Sequence, residues 1–281
     1  MKRLLYALSA FLVVCAGSCA LTEKGIHTKT GKTETRTFDV KDFTKVHFEG
    51  GITSARIVQS DTYNVSVTTD SGLFDYFDIA AKGDTLVIRE RWGFGVSVTY
   101  DCNVTIAMPK IRELNAVNSS AAVLLGSFRQ ADTDLDIRTT SSSSVDADVS
   151  AKNIYADASG ETSIALKGNA ENFRCSASSG SKIDADVSAK NIYANASGET
   201  SINLKGSAEN LRCSASGGSK VISYKCKSAN VDAAVKGEAK LYVYAEKSLN
   251  AHVSGGGSLY YRGKPEKFNK TVLNSGEIYN E

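Results

Sequence analysis

The sequence is poor in proline, histidine and tryptophan, with two, three and one of these residues among 281. The histidines, His27, His47 and His252, are far apart, so the chain lacks the His or Cys cluster that a zinc site needs. The formal net charge is only +2, with no basic run, which argues against nucleic-acid binding. Apolar stripes at helical spacing and Gly-rich phosphate loops are also missing. We therefore predict a chain with almost no helix, no metal and no cofactor.

The N-terminus reads as an export signal. A basic pair precedes an apolar run over 4–14, which is too short to span a bilayer, and Ala-Gly-Ser stands directly before Cys19. This arrangement resembles the lipobox of bacterial lipoproteins. We predict a lipoprotein signal peptide over 1–18, a lipid anchor on Cys19, and a flexible polar tether over 19–37. Ordinary signal cleavage beside an incidental cysteine is the alternative.

An internal repeat dominates the rest of the chain. Residues 145–182 recur as 183–220, and only six of the 38 positions differ. Within each copy the pattern recurs after 19 residues, giving eight units over 111–265. Each unit holds two short alternating runs and two Ser/Gly turns, which is typical of one rung of a parallel β-helix. We predict an all-β fold: a parallel β-helix, or solenoid, with about 19 residues per rung, preceded by a less regular β-rich N-terminal part.

Aligning the units at a period of 19 predicts columns of stacked side chains. Small or apolar residues share the positions with inward parity, and Cys175 and Cys213 fall in one of these columns. Two rungs separate the two cysteines, roughly 9.6 Å, so we expect buried thiols rather than a disulfide. Outward columns alternate in charge, and one holds an asparagine at every unit, as in a hydrogen-bonded amide ladder. The asparagines are Asn153, Asn172, Asn191, Asn210 and Asn230.

Another outward column alternates tyrosine and arginine. Its members, Tyr155, Arg174, Tyr193 and Arg212, form the candidate binding face, which offers cation–π stacking and contacts to a glycan or protein ligand. A purely self-stabilising surface ladder is the competing interpretation. A second candidate surface lies near the C-terminus. It comprises Tyr242, Tyr244, Tyr260 and Tyr261, which alternatively cover the end of the solenoid.

Catalysis is the competing function to consider. Parallel β-helices host polysaccharide lyases and hydrolases that use clustered acids, and the candidates here are Asp146, Asp148, Asp184 and Asp186. Both copies of the repeat contain the pair, in columns that also hold lysines, as a charge ladder requires and a single active site does not. We predict no enzymatic activity and no catalytic, cofactor or metal residues. Calcium binding is not indicated either, because no Gly-Gly-x-Gly-x-Asp repeat is present.

Four segments of the chain carry a family resemblance: the run Phe-Glu-Gly-Gly-Ile at 48–52, the following Tyr-Asn-Val-Ser-Val strand, the later Ser-Gly turns and the closing run at 254–265. Together they resemble the bacterial head GIN domain of auto-transporter adhesins, which is common in Bacteroidetes. The resemblance spans about 38–265 and implies a β-helical cell-envelope protein. We predict the GIN-type domain over 38–265, its regular rungs over 111–265, and a tail or cap over 266–281.

Together these features predict a non-catalytic binding or adhesion protein. It would be an outer-membrane lipoprotein, exposed at the surface or facing the periplasm, with the membrane as partner through its lipid anchor. A carbohydrate-active β-helix enzyme and a purely structural envelope protein are the alternatives.

Overall fold

The structure, a computed structural model, describes residues 29–91 and 100–281, and of 121–127 it describes the backbone alone. The predicted signal peptide and the predicted lipidation site Cys19 lie outside the described residues. None of the described helices is long and apolar enough to cross a membrane.

Strands make up 71% of the described chain. The strands of the irregular part are β1 (Thr33–Phe38), β2 (Lys45–Glu49), β3 (Ser54–Gln59), β4 (Asn64–Asp70), β5 (Phe77–Lys82), β6 (Thr85–Glu90) and β7 (Asn103–Met108), with a 3₁₀ helix at Ser71–Tyr76. The strands that follow are β8 (Glu113–Val117), β9 (Ala121–Gln130), β10 (Leu135–Thr140), β11 (Ser144–Ala151), β12 (Asn153–Ser159), β13 (Ser163–Ser178), β14 (Lys182–Ser197), β15 (Ser201–Ser216), β16 (Lys220–Lys236), β17 (Lys240–Ser254), β18 (Ser258–Gly263), β19 (Lys267–Leu273) and β20 (Glu277–Asn280).

The chain winds into a β-solenoid, which confirms the predicted fold class. From β8 to β18 it completes about eight turns, about 19 residues apart. Two faces result. Face A consists of β6, β2, β8, β10, β12, the second halves of β13 to β17, and β19. Face B consists of β7, β3, β9, β11, the first halves of β13 to β17, β18 and β20. All neighbours within each face run parallel.

The core fills the narrow space between the two faces with stacked columns. The register pairs Ile164 with Ile183, Ile183 with Ile202 and Ile202 with Val221, and all four side chains are buried. The second predicted large column, Ile154, Phe173, Ile192 and Leu211, is also in register and buried. Alternation places one residue in two inward, so adjacent columns combine large with small side chains and close the interior.

The turns that follow the face A strands stack, and from Ser120 to Ser219 each has a buried hydroxyl residue behind its corner. Ser181 is buried, accepts a hydrogen bond from the Ser178 N–H (2.9 Å) and donates one to the Ala158 carbonyl (2.8 Å). At the tip, Gly217 has φ +69°, and an added Cβ would lie 3.3 Å from the backbone nitrogen of Gly198. A left-handed residue and a close backbone neighbour together explain the repeated Ser/Gly turns.

The N-terminal end departs from chain order. The turn made by β6 and β7 lies outside the turn made by β2 and β3, which itself stacks on β8 and β9. Three antiparallel strands finish this end: β5 beside β6, and β4 followed by β1 beside β7. Parallel stacking therefore starts at β6 and β7, well before the predicted first rung at 111.

Strand β1 corrects the predicted tether. Residues 33–37 were expected to be flexible, but all six residues of β1 pair with β4. Asp70 holds the segment that leads into this strand, because its carboxylate accepts hydrogen bonds from the N–H groups of Thr30 (3.0 Å) and Gly31 (2.8 Å). The side chains of β1 are mostly exposed, so its sequence lacks the apolar alternation by which strands are recognised.

The C-terminal segment predicted as a tail or cap is one more parallel turn. Strand β19 pairs with β17 and β20 pairs with β18. This turn covers Leu249, Ala251 and Leu259, which are buried. All residues of β19 are themselves exposed.

Candidate binding face

The predicted Tyr/Arg column exists as one continuous line on face A. The register pairs Tyr155 with Arg174, Arg174 with Tyr193 and Tyr193 with Arg212. Toward the N-terminal end the column continues through Asp136. The outward parity of β12 to β15 and the 19-residue spacing place the four side chains, because neighbours in a parallel column lie roughly 4.8 Å apart.

Contacts along the column differ between its two arginines. The guanidinium carbon of Arg174 lies over the ring of Tyr193, 5.3 Å from its centroid. Arg212 instead forms an ion pair with Asp232 of the next turn, with 2.9 Å between Nε and Oδ2. A cation above a ring means that this ring faces along the solenoid axis, so Tyr193 presents its edge and hydroxyl outward. At Tyr193 the column therefore offers a hydroxyl group to a ligand rather than a flat aromatic surface.

Tyr155 marks the acidic end of the column. Its side chain is exposed, and Asp136 occupies the preceding turn. Burial raises the pKa of the Asp136 carboxyl above its ordinary value, against the lowering effect of Arg138, which hydrogen-bonds it. The exposed positive charge of Arg174 thus lies between a partly buried acid at one end and the Arg212–Asp232 pair at the other.

The amide ladder runs beside this column. Each Asn Nδ2 donates to the Oδ1 of the preceding turn: Asn172 to Asn153 (2.7 Å), Asn191 to Asn172 (2.8 Å) and Asn210 to Asn191 (2.9 Å). Asn153 donates to Asp134 and Asn230 to Asn210, which extends the ladder in both directions. The predicted asparagine ladder is confirmed. The ladder holds the asparagine side chains in one orientation along face A. Each amide keeps one N–H group for solvent or a ligand.

Two shallow grooves flank the Tyr/Arg column. One, of about 330 Å³, lies between the column and the amide ladder and is lined by Tyr193, Arg212, Asn210 and Asp232 among others. The other, of about 260 Å³, lies on the far side against Ser176, Asn195 and Ser214. Both are open depressions on a flat face and run along the solenoid axis. Such a shape suits an extended ligand better than a compact one.

The four aspartates weighed as catalytic candidates lie on face B. Register aligns Asp148, Lys167, Asp186 and Lys205 in one column, the alternating charge ladder expected from the sequence. A groove of about 430 Å³ is lined by Asp146, Asp184 and Asp186 with both lysines. Parallel β-helix enzymes need a cleft of this kind, so the groove keeps the enzymatic alternative open.

Asp184 is the best-defined acid of that groove. Lys182 Nζ lies 2.7 Å from one carboxylate oxygen and Asn203 Nδ2 lies 2.6 Å from the other. Burial acts to raise the pKa of Asp184, but these hydrogen bonds outweigh it and the pKa is lowered. An acid held ionised in this way does not supply a proton at neutral pH.

The tyrosines near the C-terminus form an ordered stack on face B. The rings of Tyr242 and Tyr260 are parallel with centroids 4.7 Å apart, and Tyr279 continues the stack at 4.9 Å. Tyr224 meets Tyr242 edge-on, and Arg262 lies over Tyr224 at 4.1 Å. Tyr224 and Tyr279 were not predicted as part of this surface, although a column at the regular spacing from Tyr260 includes Tyr279.

Tyr261, predicted with this surface, has a different position. It stands in the inward column of Val243 and packs against Phe268, with ring centroids 5.1 Å apart. Tyr261 therefore covers the end of the core, as the alternative interpretation held, while Tyr242 and Tyr260 lie on the outer face. Aromatic contacts of Tyr244 do not occur within the described part of the chain.

The cysteines are structural. Cys175 and Cys213 are fully buried in one column, as predicted, and all four described cysteines are free thiols. Burial raises the pKa of Cys102 to about 12 and raises the pKa of Cys175, Cys213 and Cys226. Protonated buried thiols are poor nucleophiles. Within residues 29–91 and 100–281, no group of His, Cys, Asp and Glu is arranged to hold a metal ion.

A parallel β-solenoid with flat, polar, laterally continuous faces defines a scaffold class whose recognition surfaces lie along its sides and ends. The family model described as "Putative auto-transporter adhesin, head GIN domain" matches residues 42–186 and 178–265. The chain belongs to this family. The resemblance seen in the sequence is thereby confirmed.

Solved structures from three bacteria share the fold. A "putative lipid binding protein" from Parabacteroides distasonis aligns with a TM-score of 0.70 at 22% identity, covering 90% of this chain and 98% of its own. A "putative adhesin" from Parabacteroides merdae gives 0.70 at 19% identity with the same coverage. Another from Bacteroides fragilis gives 0.52 at 18%, covering 90% of this chain and 99% of its own. No curated protein matches the chain. The adhesin-type family and the fold are thus established.

Proposed function

We propose that this protein is a non-catalytic, envelope-anchored adhesion module that binds an extended glycan or protein ligand along face A. The observation that carries the proposal is the unbroken Tyr/Arg column between two grooves. Membership in the adhesin-type family supports a role in adhesion. The adhesin names of the family and of the matched structures support a surface or envelope location.

The exposed arginines give the face its chemical preference. Arg174 and Arg212 are two turns apart, roughly 9.6 Å, and both are exposed. Guanidinium groups bind carboxylates and sulfates through paired hydrogen bonds. Tyrosine hydroxyls and ladder amides add neutral donors. An extended ligand rich in acceptor oxygens fits this set.

Glycan and matrix-protein arrays probed with the purified full chain test the proposal. The double variant Arg174→Ala/Arg212→Ala should lose at least about tenfold in affinity for any ligand found, because charge-assisted hydrogen bonds are each worth about 1.5–3 kcal/mol. Lys167→Ala/Lys205→Ala is the matched control. It also removes two exposed cations two turns apart, but from face B.

Two results would reject the proposal. One is the absence of any ligand at micromolar concentration on both arrays. The other is an equal loss of binding in the face A and face B variants, which would show that net charge alone attracts the ligand.

The anchor on Cys19 is a separate part of the proposal. It rests on the lipobox-like run before this residue. After cell fractionation the wild-type chain should be found with membranes, and Cys19→Ala should release it into the soluble fraction. Equal membrane association of both chains would contradict lipidation at Cys19. Protease added to intact cells would then distinguish surface exposure from a periplasmic location.

The face B groove is the observation that favours the enzymatic alternative. Turnover of a polysaccharide panel by the wild-type chain, abolished in Asp184→Ala, would establish it. No turnover, together with ligand binding on face A, would support adhesion. Neither activity nor binding would favour the third possibility, a purely structural envelope protein.

A further inference from the structure

Most of the exposed large apolar side chains of the described chain lie in the last turn of the solenoid. Of five large apolar side chains exposed among the described residues, four lie in this turn: Phe268 (37%), Val272 (41%), Leu273 (58%) and Tyr279 (41%). The fifth is Tyr155, on face A. Apolar groups concentrated in this way mark an interaction site more than scattered ones do.

Both strands of this turn have an unpaired edge. In the described part of the chain, β19 pairs only with β17 and β20 only with β18. Their opposite edges face away from the solenoid and carry free backbone N–H and C=O groups. An extended segment can add to such an edge as a further strand.

Side-chain columns end abruptly at the same place. Tyr279 stacks on Tyr260, which stacks on Tyr242, and the Tyr279 side chain is exposed in the described chain. Leu249 and Val253 are buried beneath Phe268 and Val272, whose own outer sides are open. A strand that added here would cover the same columns that each earlier turn covers.

Lys270 gives this edge its selectivity. Register places it in an inward column whose ten preceding members are all buried and uncharged: Leu86, Val46, Leu114, Ile137, Ala156, Cys175, Ala194, Cys213, Ala233 and Ala251. Only the eleventh position is a lysine. No carboxylate lies within ion-pair distance of Lys270 or Lys267 among the described residues. An apolar strand docking here would bury an unpaired ammonium group, which is costly.

A second copy of the chain does not solve this problem. The inward positions of its last turn carry Phe268, Lys270, Val272, Ile278 and Asn280, judged by register. None of these is acidic, so pairing of two C-terminal ends would place an apolar group, an amide or another lysine against Lys270. The last turn thus disfavours pairing with the same turn of a second copy.

We propose that the edge formed by β19 and β20 binds an extended segment of another protein by strand addition. The segment would have the pattern apolar–x–acidic–x–apolar. Its acidic residue would pair with Lys270, while its apolar residues cover Phe268 and Val272. This surface is separate from the Tyr/Arg column, so the proposal does not depend on the function proposed for face A.

Two synthetic peptides test the proposal against the purified full chain. In one, Val, Glu and Val alternate with Thr. In the other, Lys replaces Glu. Fluorescence anisotropy should show the Glu peptide binding at least about tenfold more tightly than the Lys peptide, because a like-charge contact at a buried position costs several kcal/mol. Lys270→Glu should reverse the preference. Lys267→Glu, on the same strand but in the outward column of Ser248, should leave it unchanged.

Hydrogen exchange locates the binding. The Glu peptide should slow exchange of β19 amides, which the segment pairs with, and leave those of β1 and β5 unaffected. The proposal is overturned if neither peptide binds, if both bind equally, if Lys267→Glu reverses the preference, or if light scattering shows that the free chain is a dimer and Lys270→Glu changes its mass to that of a monomer.

Discussion

The two ends of the solenoid differ in how the apolar core is covered. At the N-terminal end, antiparallel strands β1, β4 and β5 flank the first turns, and large side chains of this region such as Phe43 and Tyr76 are buried. At the C-terminal end the parallel pattern continues to its last strand, and Phe268 and Tyr279 remain exposed. A change of strand direction covers the core at the N-terminal end. In the described chain the final turn keeps the parallel direction, and its apolar side chains are accessible for contacts.

Matched phenylalanine truncations at the two ends should differ most. Phe43 is fully buried and packs against Tyr63, with ring centroids 4.9 Å apart. Phe43→Ala should therefore lower the free energy of unfolding by about 3–5 kcal/mol, the usual cost of emptying a buried aromatic site. Phe268→Ala should cost about 0.5 kcal/mol, as at other surface positions. Urea unfolding followed by circular dichroism measures both. Equal losses would show that the C-terminal end is closed.

Replacing a glycine by alanine should destabilise the C-terminal end more than the N-terminal end, the reverse of the phenylalanine truncations. An added Cβ at Gly263 would lie 2.0 Å from the backbone oxygen of Ala245, whereas at Gly83 nothing lies within 4 Å. Both have positive φ. Gly83→Ala should cost only the conformational term, about 1 kcal/mol. Gly263→Ala should cost about 2 kcal/mol or more and loosen the last turn, because backbone must move. Faster exchange of β19 and β20 amides in Gly263→Ala alone would confirm this, and unchanged exchange would refute it.

Asparagine variants on face A should distinguish an internal turn from the last turn. Asn191, in the amide ladder, donates to Asn172 and accepts from Asn210, so Asn191→Ala removes two hydrogen bonds and should cost about 1–2 kcal/mol. Asn269 lies in the last turn, in the continuation of the Tyr/Arg column, and donates only to Asn250 (3.0 Å) in the described chain, so its Ala variant should cost about 0.5–1 kcal/mol. Thermal unfolding of the two variants measures the difference. A larger loss at Asn269 would contradict the ladder account.

The smallest expected effect is a pH response confined to the N-terminal end. Backbone hydrogen bonds from Thr30, Gly72 and Gly31 hold the pKa of Asp70 at about 2, below its ordinary 3.8. A lowered folded-state pKa stabilises the fold above pH 3.8, and that stability is lost as the pH falls from 3.8 toward 2. Asp70→Asn should remove this dependence. The unfolding free energies of the two chains should thus converge as the pH falls through that window, and a constant difference would exclude the linkage.

The regular turns could be predicted in detail because the repeat reveals them. A period of 19 residues gave the register, the buried columns with Cys175 and Cys213, and the amide ladder through Asn191, since stacking repeats each environment. The irregular end lacks that information. Nothing local indicates that β6 and β7 lie outside β2 and β3, because stacking order there is set by long-range contacts.

For the proposed binding surfaces, the sequence predicts which residues share a column but not the contacts that their side chains make. Sequence placed Tyr155, Arg174, Tyr193 and Arg212 in one column but not the pairing of Arg212 with Asp232, which depends on the bulge that shifts the register in β16. The open end was missed for a related reason. Lys270 is unusual only when its column is known, and the column becomes visible after the final turn is aligned.

A single distance tests the opposition of the two ends most directly. Thr85 and Asn269 lie in the same outward column of face A, separated by ten strand pairings. At one ladder spacing per pairing, they should be about 48 Å apart. Double electron–electron resonance between nitroxide amino acids incorporated at these two positions measures this distance. A narrow distribution near that value would support a solenoid whose antiparallel N-terminal end and last parallel turn are at opposite ends. A distance of about 30 Å or less, the length of only six spacings, would contradict it.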